Sequence, residues 1–387
     1  MKAKCILLIF MCSSLLLLPG CWDRTEINNY AFWMGTLLDK GEKKKFRVSA
    51  QIAIPKQIAS QSKEGGSNRS NIVISAEGNT LLDTCLSIQN KLPRRLFIGH
   101  RRSVFISERL AKEGLSQIID MYTRNAELSL RTGLFVVLGS DPERVLKIES
   151  PFNPFSADAI VMQDKYAKIG DVASRDLVVN YSSQGTSPVM SAISLSGMSK
   201  EEQNKVVNID RLAVFNKKLQ MVGLLNNEES MVSLWIINRL KIHFLTSYIP
   251  EGKGYVTVYE TNLKSKITSE MKNGKPIITV HLKGVGSVRE NNTDLDLSRS
   301  HDLKMVENRM NQYVESVTKD CVRKIQEQFR TDIYGFGETL HREYPQEWKK
   351  LKQNWEDHFH KLDVTVKVQT RLKRIGVYGP RPHQTGH

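Results

Sequence analysis

A single thiol stands out among the residues able to do chemistry. Cys21 ends a segment that opens with Lys2 and Lys4, runs through an apolar stretch from Ile6 to Leu18 broken only by Ser13 and Ser14, and closes as Leu18-Pro19-Gly20-Cys21. A basic start, a short apolar core and a small residue before the cut are the marks of a signal peptide. A cysteine placed directly after the cut resembles a bacterial lipobox, with Pro19 a less usual residue inside it. The chemistry of such a cysteine is acylation. Its sulfur takes a diacylglyceryl group, and the α-amine freed by cleavage takes a further acyl chain. The expectation for Cys21 is therefore S-diacylglycerol and N-acyl attachment, with the body tethered to a membrane outside the cytoplasm. An ordinary secretory signal with a chance cysteine is the alternative.

No other residues assemble into a reactive set. Gly335-Phe336-Gly337-Glu338 is a glycine-rich turn, but it follows a helical pattern and lacks the strand–turn–helix setting of a phosphate loop. Gly252-Lys253-Gly254 fails for the same reason. His358 and His360 stand two apart with His341 upstream, whereas paired metal ligands on a helix favour i, i+4 spacing. No Gly-x-Ser-x-Gly elbow occurs. The acids Asp332 and Glu338 make no glycosidase pair without a supporting geometry. Cys5 and Cys12 leave with the signal. Cys85 and Cys321 are far apart in sequence and read as small buried hydrophobes rather than a disulfide. The expectation is a non-enzyme with no metal and no cofactor.

Composition agrees with a tethered soluble body. A chain of 387 residues suggests two or three domains. After Ile6–Leu18 no apolar run approaches the roughly 20 residues that a membrane helix needs. The formal net charge is +15, with clusters at Lys43-Lys44-Lys45, Arg94-Arg95, Arg101-Arg102 and Lys349-Lys350. These are scattered, and no nucleic-acid motif accompanies them. Solvated faces are expected, some turned toward anionic headgroups, and no nucleic-acid partner.

The elements that must carry these residues mix strands with helices. Tyr30–Leu37 and Phe46–Ile54, joined by Asp39-Lys40-Gly41-Glu42, read as a hairpin. Gln61–Asn71 reads as a flexible loop and Ile72–Ser75 as a short strand. Leu82, Cys85, Ile88 and Leu92 recur at helical spacing, with Asn79 or Thr80 as N-cap. Val104–Ile106 is a strand, and Ser107 can cap a helix running to about Thr123. Leu134–Leu138 is an apolar strand, and Pro142 stands in the first turn of another helix. Pro151–Gly197 is rich in proline and serine, with candidate elements near Ala157–Lys168 and Val189–Leu195. After the polar stretch Met198–Asn208, Leu212–Phe215 and Met221–Leu225 pair as a hairpin, and Glu228–Asn238 reads as a short helix.

Lys241–Ser247, Gly254–Ile267 and Pro276–Val288 are successive strands, the last two joined at Asn273-Gly274. Leu303, Val306, Met310, Tyr313, Val317 and Cys321 mark one long amphipathic helix ending near Phe329 and packed on the sheet. Trp348, Leu351, Trp355 and Phe359 form a second apolar stripe. Val364, Val366, Val368 and Thr370 alternate with polar residues in a final half-buried strand. The expected fold class is α+β: elongated and multidomain, with mixed or antiparallel sheets, packed helices, and a C-terminal domain of meander plus long helix. The expected division is a signal over 1–20, an N-terminal α+β domain over 21–150, a small middle domain or bridge over 151–208, a C-terminal α+β domain over 209–377 and a frayed tail over 378–387.

Several ordered motifs carry a family resemblance. Cys21-Trp22-Asp23-Arg24-Thr25-Glu26-Ile27 resembles the lipidated N-terminus of the Ger(x)C family, the C subunits of spore germinant receptors. Leu96-Phe97-Ile98-Gly99-His100 follows, then Ala111-Lys112-Glu113-Gly114-Leu115, then Ala213-Val214-Phe215 ahead of Val222-Gly223-Leu224-Leu225. Asp332-Ile333-Tyr334-Gly335-Phe336-Gly337-Glu338 and Trp348 before Trp355 complete the series. The resemblance implies an elongated three-domain α+β lipoprotein of the spore inner membrane. It also implies two partners: an A subunit with a large soluble part, and a transporter-like B subunit with many membrane spans. It implies a part in triggering germination by amino acids or sugars, and it carries over no ligand-contact residue. A substrate-binding lipoprotein of a nutrient importer is the second reading. Repeated βαβ units would mark such a protein, and the Asn273-Gly274 hairpin argues against them.

Overall fold

The computed structural model describes residues 27–54, 70–125, 128–148, 150, 152–167, 173–196 and 206–374. Cys21, the signal run before it, loop residues 61–69 and the tail after 374 lie outside the described residues.

The first nine strands are β1 (Tyr30–Lys40), β2 (Phe46–Ala53), β3 (Asn71–Gly78), β4 (Arg95–Phe97), β5 (Ser103–Ser107), β6 (Gly133–Val137), β7 (Val189–Ser196), β8 (Val206–Phe215) and β9 (Met221–Leu225). They form one mixed sheet in the order β3-β2-β1-β5-β6-β7-β8-β9, with β4 beside the start of β1. The middle pairs β1–β5, β5–β6 and β6–β7 are parallel, and the outer pairs are antiparallel. Buried parallel strands read as continuous apolar runs. Ser103–Ser107 is buried at all five positions. Val104 and Ile106 face one core with Leu134 and Val136, while Phe105 faces a second with Phe135 and Val137.

Helices cover both faces of this sheet. α1 (Leu81–Gln89), α2 (Glu108–Glu113), α3 (Ser116–Arg124) and α5 (Ser174–Ser182) contribute to the first core. The 3-10 helix Pro142–Lys147 and α4 (Ser156–Ala167) contribute to the second. Ser107 caps α2 as expected, its Oγ accepting from the Leu110 amide at 3.2 Å. The single helix expected to run on to Thr123 is two. Gly114 adopts φ 127°, outside the helical region, and the Leu115 amide leaves the helix to donate to Leu219 O. Thr80 caps α1. Its buried stripe is Leu81, Thr84 and Ile88: Ile88 is buried as expected, but Leu81 and Thr84 take the places expected of Leu82 and Cys85, and Leu82 is 57% exposed. The helix begun by Pro142 is a 3-10 helix.

The segment 151–208 supplies α4, α5, β7 and the start of β8. Strand β7 pairs with β6 on one side and β8 on the other.

The remaining strands β10 (Ile242–Ile249), β11 (Gly254–Lys272), β12 (Lys275–Asn291) and β13 (Asp363–Arg374) form a four-stranded sheet in chain order. β10 to β12 are the antiparallel meander. Asn273 (φ 52°) and Gly274 (φ 75°) both take the left-handed conformation, the requirement of a type I′ two-residue turn. β13 adds in parallel to β12, so the helices between them are a crossover. That crossover opens with α7 (Ser300–Lys324), prolonged by a π-turn over Ile325–Phe329. α7 buries Val306, Met310, Val314, Thr318, Cys321 and Val322 and lies along β13. α6 (Asn227–Ile236), before the meander, packs on the same core. The Trp348–Phe359 stripe is carried on short helices: α8 (Phe336–Glu343) leads into α9 (Pro345–Leu351) and α10 (Trp355–His360).

Candidate functional site

The two sheets share one hydrophobic core, which takes in Val189, Leu212, Val214 and Leu225 of the large sheet, and a buried carboxylate shapes the turn at their joint. Asp332 is 2% exposed and follows the left-handed residue Arg330 that ends the π-turn. Its Oδ1 accepts from the amides of Tyr334 (3.0 Å) and Gly335 (2.9 Å). Its Oδ2 accepts from the amide of Gly337 (2.8 Å) and the indole Nε1 of Trp355 (3.0 Å). Burial pushes the Asp332 carboxyl up, while the Gly337 and Trp355 donors pull it down. With four N–H groups on its two oxygens, the carboxylate has no lone pair left for a substrate proton. It acts as a clasp that shapes the turn before α8.

The chain between α5 and β7 closes on this clasp. The Ser187 amide donates to Asp332 O at 2.6 Å, and Thr331 Oγ1 donates to Ser187 Oγ at 2.8 Å. Glu338 accepts from Ser183 Oγ and, at 3.0 Å, from the Gly185 amide. Lys217, in the β8–β9 turn, donates to Ser183 O at 2.7 Å and to Thr186 O. Burial lowers its pKa. Gly185 and Gly337 make the closest approach. A Cβ on Gly185 would collide with the Gly337 backbone, and one on Gly337 would press on Gly185, Trp348 and Trp355. Arg239 adds an ion pair to Asp176 of α5.

A cleft of about 600 Å³ opens beside the clasp, between α5, the 236–239 turn, the exposed edge of β11 and α8. Two of its charged groups are tied to neighbours. Arg239 holds Asp176, and Glu343 accepts from the amide (2.8 Å) and the hydroxyl (2.7 Å) of Ser269. The titratable groups nearby are driven toward inert forms. Burial raises the Cys321 thiol and lifts the Tyr334 hydroxyl far above its ordinary range. No nucleophile lies beside a base in this arrangement. It can hold two sheets together and leave a polar cleft at their joint.

Comparison with known proteins now decides the lineage. The N-terminal domain of spore germination proteins matches residues 23–195, and the "Spore germination B3/ GerAC like, C-terminal" family matches residues 210–376. The chain belongs to the Ger(x)C family. Its Bacillus subtilis (strain 168) relatives include spore germination protein KC, 27% identical over 99% of both chains. Spore germination protein A3 is 25% identical, covering 97% of this chain and 98% of its own. Among solved structures, the crystal structure of the GerBC protein covers 90% of this chain with a TM-score of 0.58 and 18% identity, a likeness of fold.

The Ger(x)C motif residues have physical tasks in this fold. The Asp332–Glu338 motif is the clasp, and Trp355 is one of its donors. Trp348 stacks on His341 at 5.9 Å and meets Trp355 edge-on at 5.1 Å. Phe97 and His100 close an aromatic cluster with Tyr30 and Phe32. Gly223 leaves room for the ring of Phe329. The histidines weighed as metal ligands are apart in role. His360 Nδ1 bonds Gln326 O at 2.9 Å, while His341 stacks on Trp348. Among the described residues no group of three or more His, Cys, Asp or Glu side chains converges on a point. Cys85 and Cys321 are free thiols. Sequence reasoning missed Asp332 as a clasp. An Asp two residues before Tyr-Gly is an Asx-turn signal, but Ser183 and Gly185, more than 150 residues away from Glu338, left no local trace.

Proposed function

We propose that this chain is the lipid-anchored, non-catalytic subunit of a nutrient germinant receptor, needed for spores to answer one set of nutrients. The observation that carries the proposal is the match of both halves of the chain to spore germination families, in order. Cys21 is the proposed site of S-diacylglycerol and N-acyl attachment. Among the described residues no helix is long and apolar enough to cross a membrane, so the proposed anchor supplies the attachment. Two acyl chains hold a protein stably where one does not. The proposed setting is the outer face of the spore inner membrane, beside the A and B membrane subunits. Tethering raises the effective concentration of such partners, so individual contacts can be weak.

The test is Cys21→Ala in the sporulating cell. Fatty-acid label should vanish from the protein, the protein should leave the membrane fraction, and germination by its nutrient set should fail while other triggers still work. Normal labelling with full membrane retention in the variant sinks the anchor.

A further inference from the structure

The small sheet has one bare face, and that face is basic. Its inner residues, such as Ile278, Val280, Leu282 and Val366, are buried under the helices. Strand alternation turns the next residues outward. Lys266 lies directly across from His281, and His281 from Lys367. In the adjoining row Lys264 lies across from Lys283, and in the next Val285 lies across from Arg371. The four lysines and Arg371 are all exposed. Like charges directly opposite one another in a sheet destabilise it. None of these four lysines is in an ion pair with a described carboxylate. Partial burial, then Lys367, Lys266 and Lys283, push the His281 imidazole below its ordinary range. The acids of this face stand outside the lysine rows: Glu270 and Asp363 lie across Ile277 beyond a row of threonines, and Glu290 lies across from Thr257 at the other end.

The other end of the same face is aromatic. Phe244 is 62% exposed, Tyr248 49% and Tyr255 56%. Phe244 lies 4.8 Å from Tyr259, and Tyr248 lies 5.2 Å from Tyr255. Arg289 sits over the Tyr259 ring at 5.0 Å. Soluble proteins leave few contiguous apolar patches unused. Exposed aromatic rings beside lysine and arginine are the composition of surfaces that sit at a membrane interface. The rings take the headgroup level and the cations take the lipid phosphates.

We propose that this open face of the small sheet docks on an anionic membrane surface. The lysine rows at the centre of the face carry positive charge without internal partners, and an anionic lipid surface supplies the complementary field. From the anchor reading the proposal takes only that the body stands beside a membrane.

The test uses the chain from Trp22 onward. It lacks the proposed acylation site and keeps every strand and helix described, since all of them begin at Ile27 or later. Co-sedimentation is measured with vesicles of phosphatidylcholine alone and with about a third phosphatidylglycerol. Binding is expected to the anionic vesicles alone and to fall as salt rises. K264Q/K283Q/K367Q should weaken it about a hundredfold, each basic residue near an anionic surface contributing roughly a factor of five. K264R/K283R/K367R should keep it. K43Q/K44Q/K45Q removes the same charge from an exposed turn elsewhere and should weaken it by no more than about threefold. Melting curves of all variants should match the parent. Equal losses in the two glutamine triples, equal binding to neutral vesicles, or binding of polyglutamate or an oligonucleotide in place of vesicles would each overturn the proposal. Failure of the anchor reading would show only in the fractionation of Cys21→Ala, which these vesicle measurements do not involve.

Discussion

The large sheet is packed on both faces and the small sheet on one, and the strand residues already carry that difference. Val104, Phe105 and Ile106 are consecutive, large and fully buried, and they feed two separate cores. Along β13, buried Val366, Thr370 and Leu372 are separated by exposed Lys367 and Arg371. A parallel sheet sealed by crossover helices needs apolar residues at every position, whereas a sheet with one wet face needs them at every second one. The lesson is that burial on two faces makes the N-terminal region intolerant of truncation, while half of the C-terminal strand positions are free to serve a surface.

Matched truncations test this contrast most strongly. Phe105→Ala should cost about 3–5 kcal/mol of folding free energy, because the ring is fully buried and packs on Phe135 at 5.7 Å. Val285→Ala, on the bare face, should cost under about 0.5 kcal/mol. Denaturant titration of both variants measures the difference. Similar losses at the two sites would erase the distinction between the sheets.

A second variant asks whether the regions stand alone or lean on each other. Asp332→Ala leaves four buried N–H donors without their acceptor and should cost about 3 kcal/mol. It should also loosen the Ser183–Ser187 segment, read as faster amide exchange there and in the turn before α8. A loss below about 1 kcal/mol with unchanged exchange would mean that the sheets are held elsewhere.

The smallest effect concerns acid. Burial alone would raise the Glu143 carboxyl, but Lys147 and Arg47 outweigh it and bring the pKa down to about 2. Glu143 also accepts from Ser49 at 3.0 Å and from Ser75 at 3.1 Å, tying the helical cover to β2 and β3. A carboxylate whose pKa is lower in the folded state stabilises fully above the ordinary carboxylate range, and that stability is lost as pH falls from about 4.5 toward 2. After discounting for partial exposure the contribution is on the order of 1–2 kcal/mol. Glu143→Gln should remove that much at neutral pH and flatten the acid limb of the stability curve in thermal melts. An acid limb unchanged by the substitution would assign it to other carboxylates.

Local signals in the chain spoke clearly. The Asn273-Gly274 turn, the Ser107 cap, the α7 periodicity and the alternation of β13 are contests among neighbouring residues, and pattern alone decides them. What the pattern could not carry is pairing at a distance. Nothing in Val189–Leu195 says that it will lie between β6 and β8. Nothing near Val364 says that its strand runs parallel to β12. Gly114 was visible as a glycine inside a helical pattern, but the break there depends on the Leu219 carbonyl that receives the Leu115 amide. The proposed lipid site is the reverse case, legible from sequence alone and outside the described residues.

One topological detail has a mechanical meaning. The described chain begins at Ile27 and passes at once into β1, an interior strand. Hydrogen bonds join β1 to β2 over Phe32–Lys40 and to β5 over Gly35–Leu38. A pull along β1 from its N-terminal end loads both ladders in shear, so many bonds resist together. A border strand such as β3 or β9 would peel one bond at a time. Drag taken up through the proposed anchor at Cys21 would thus be met by a strand bonded on both sides.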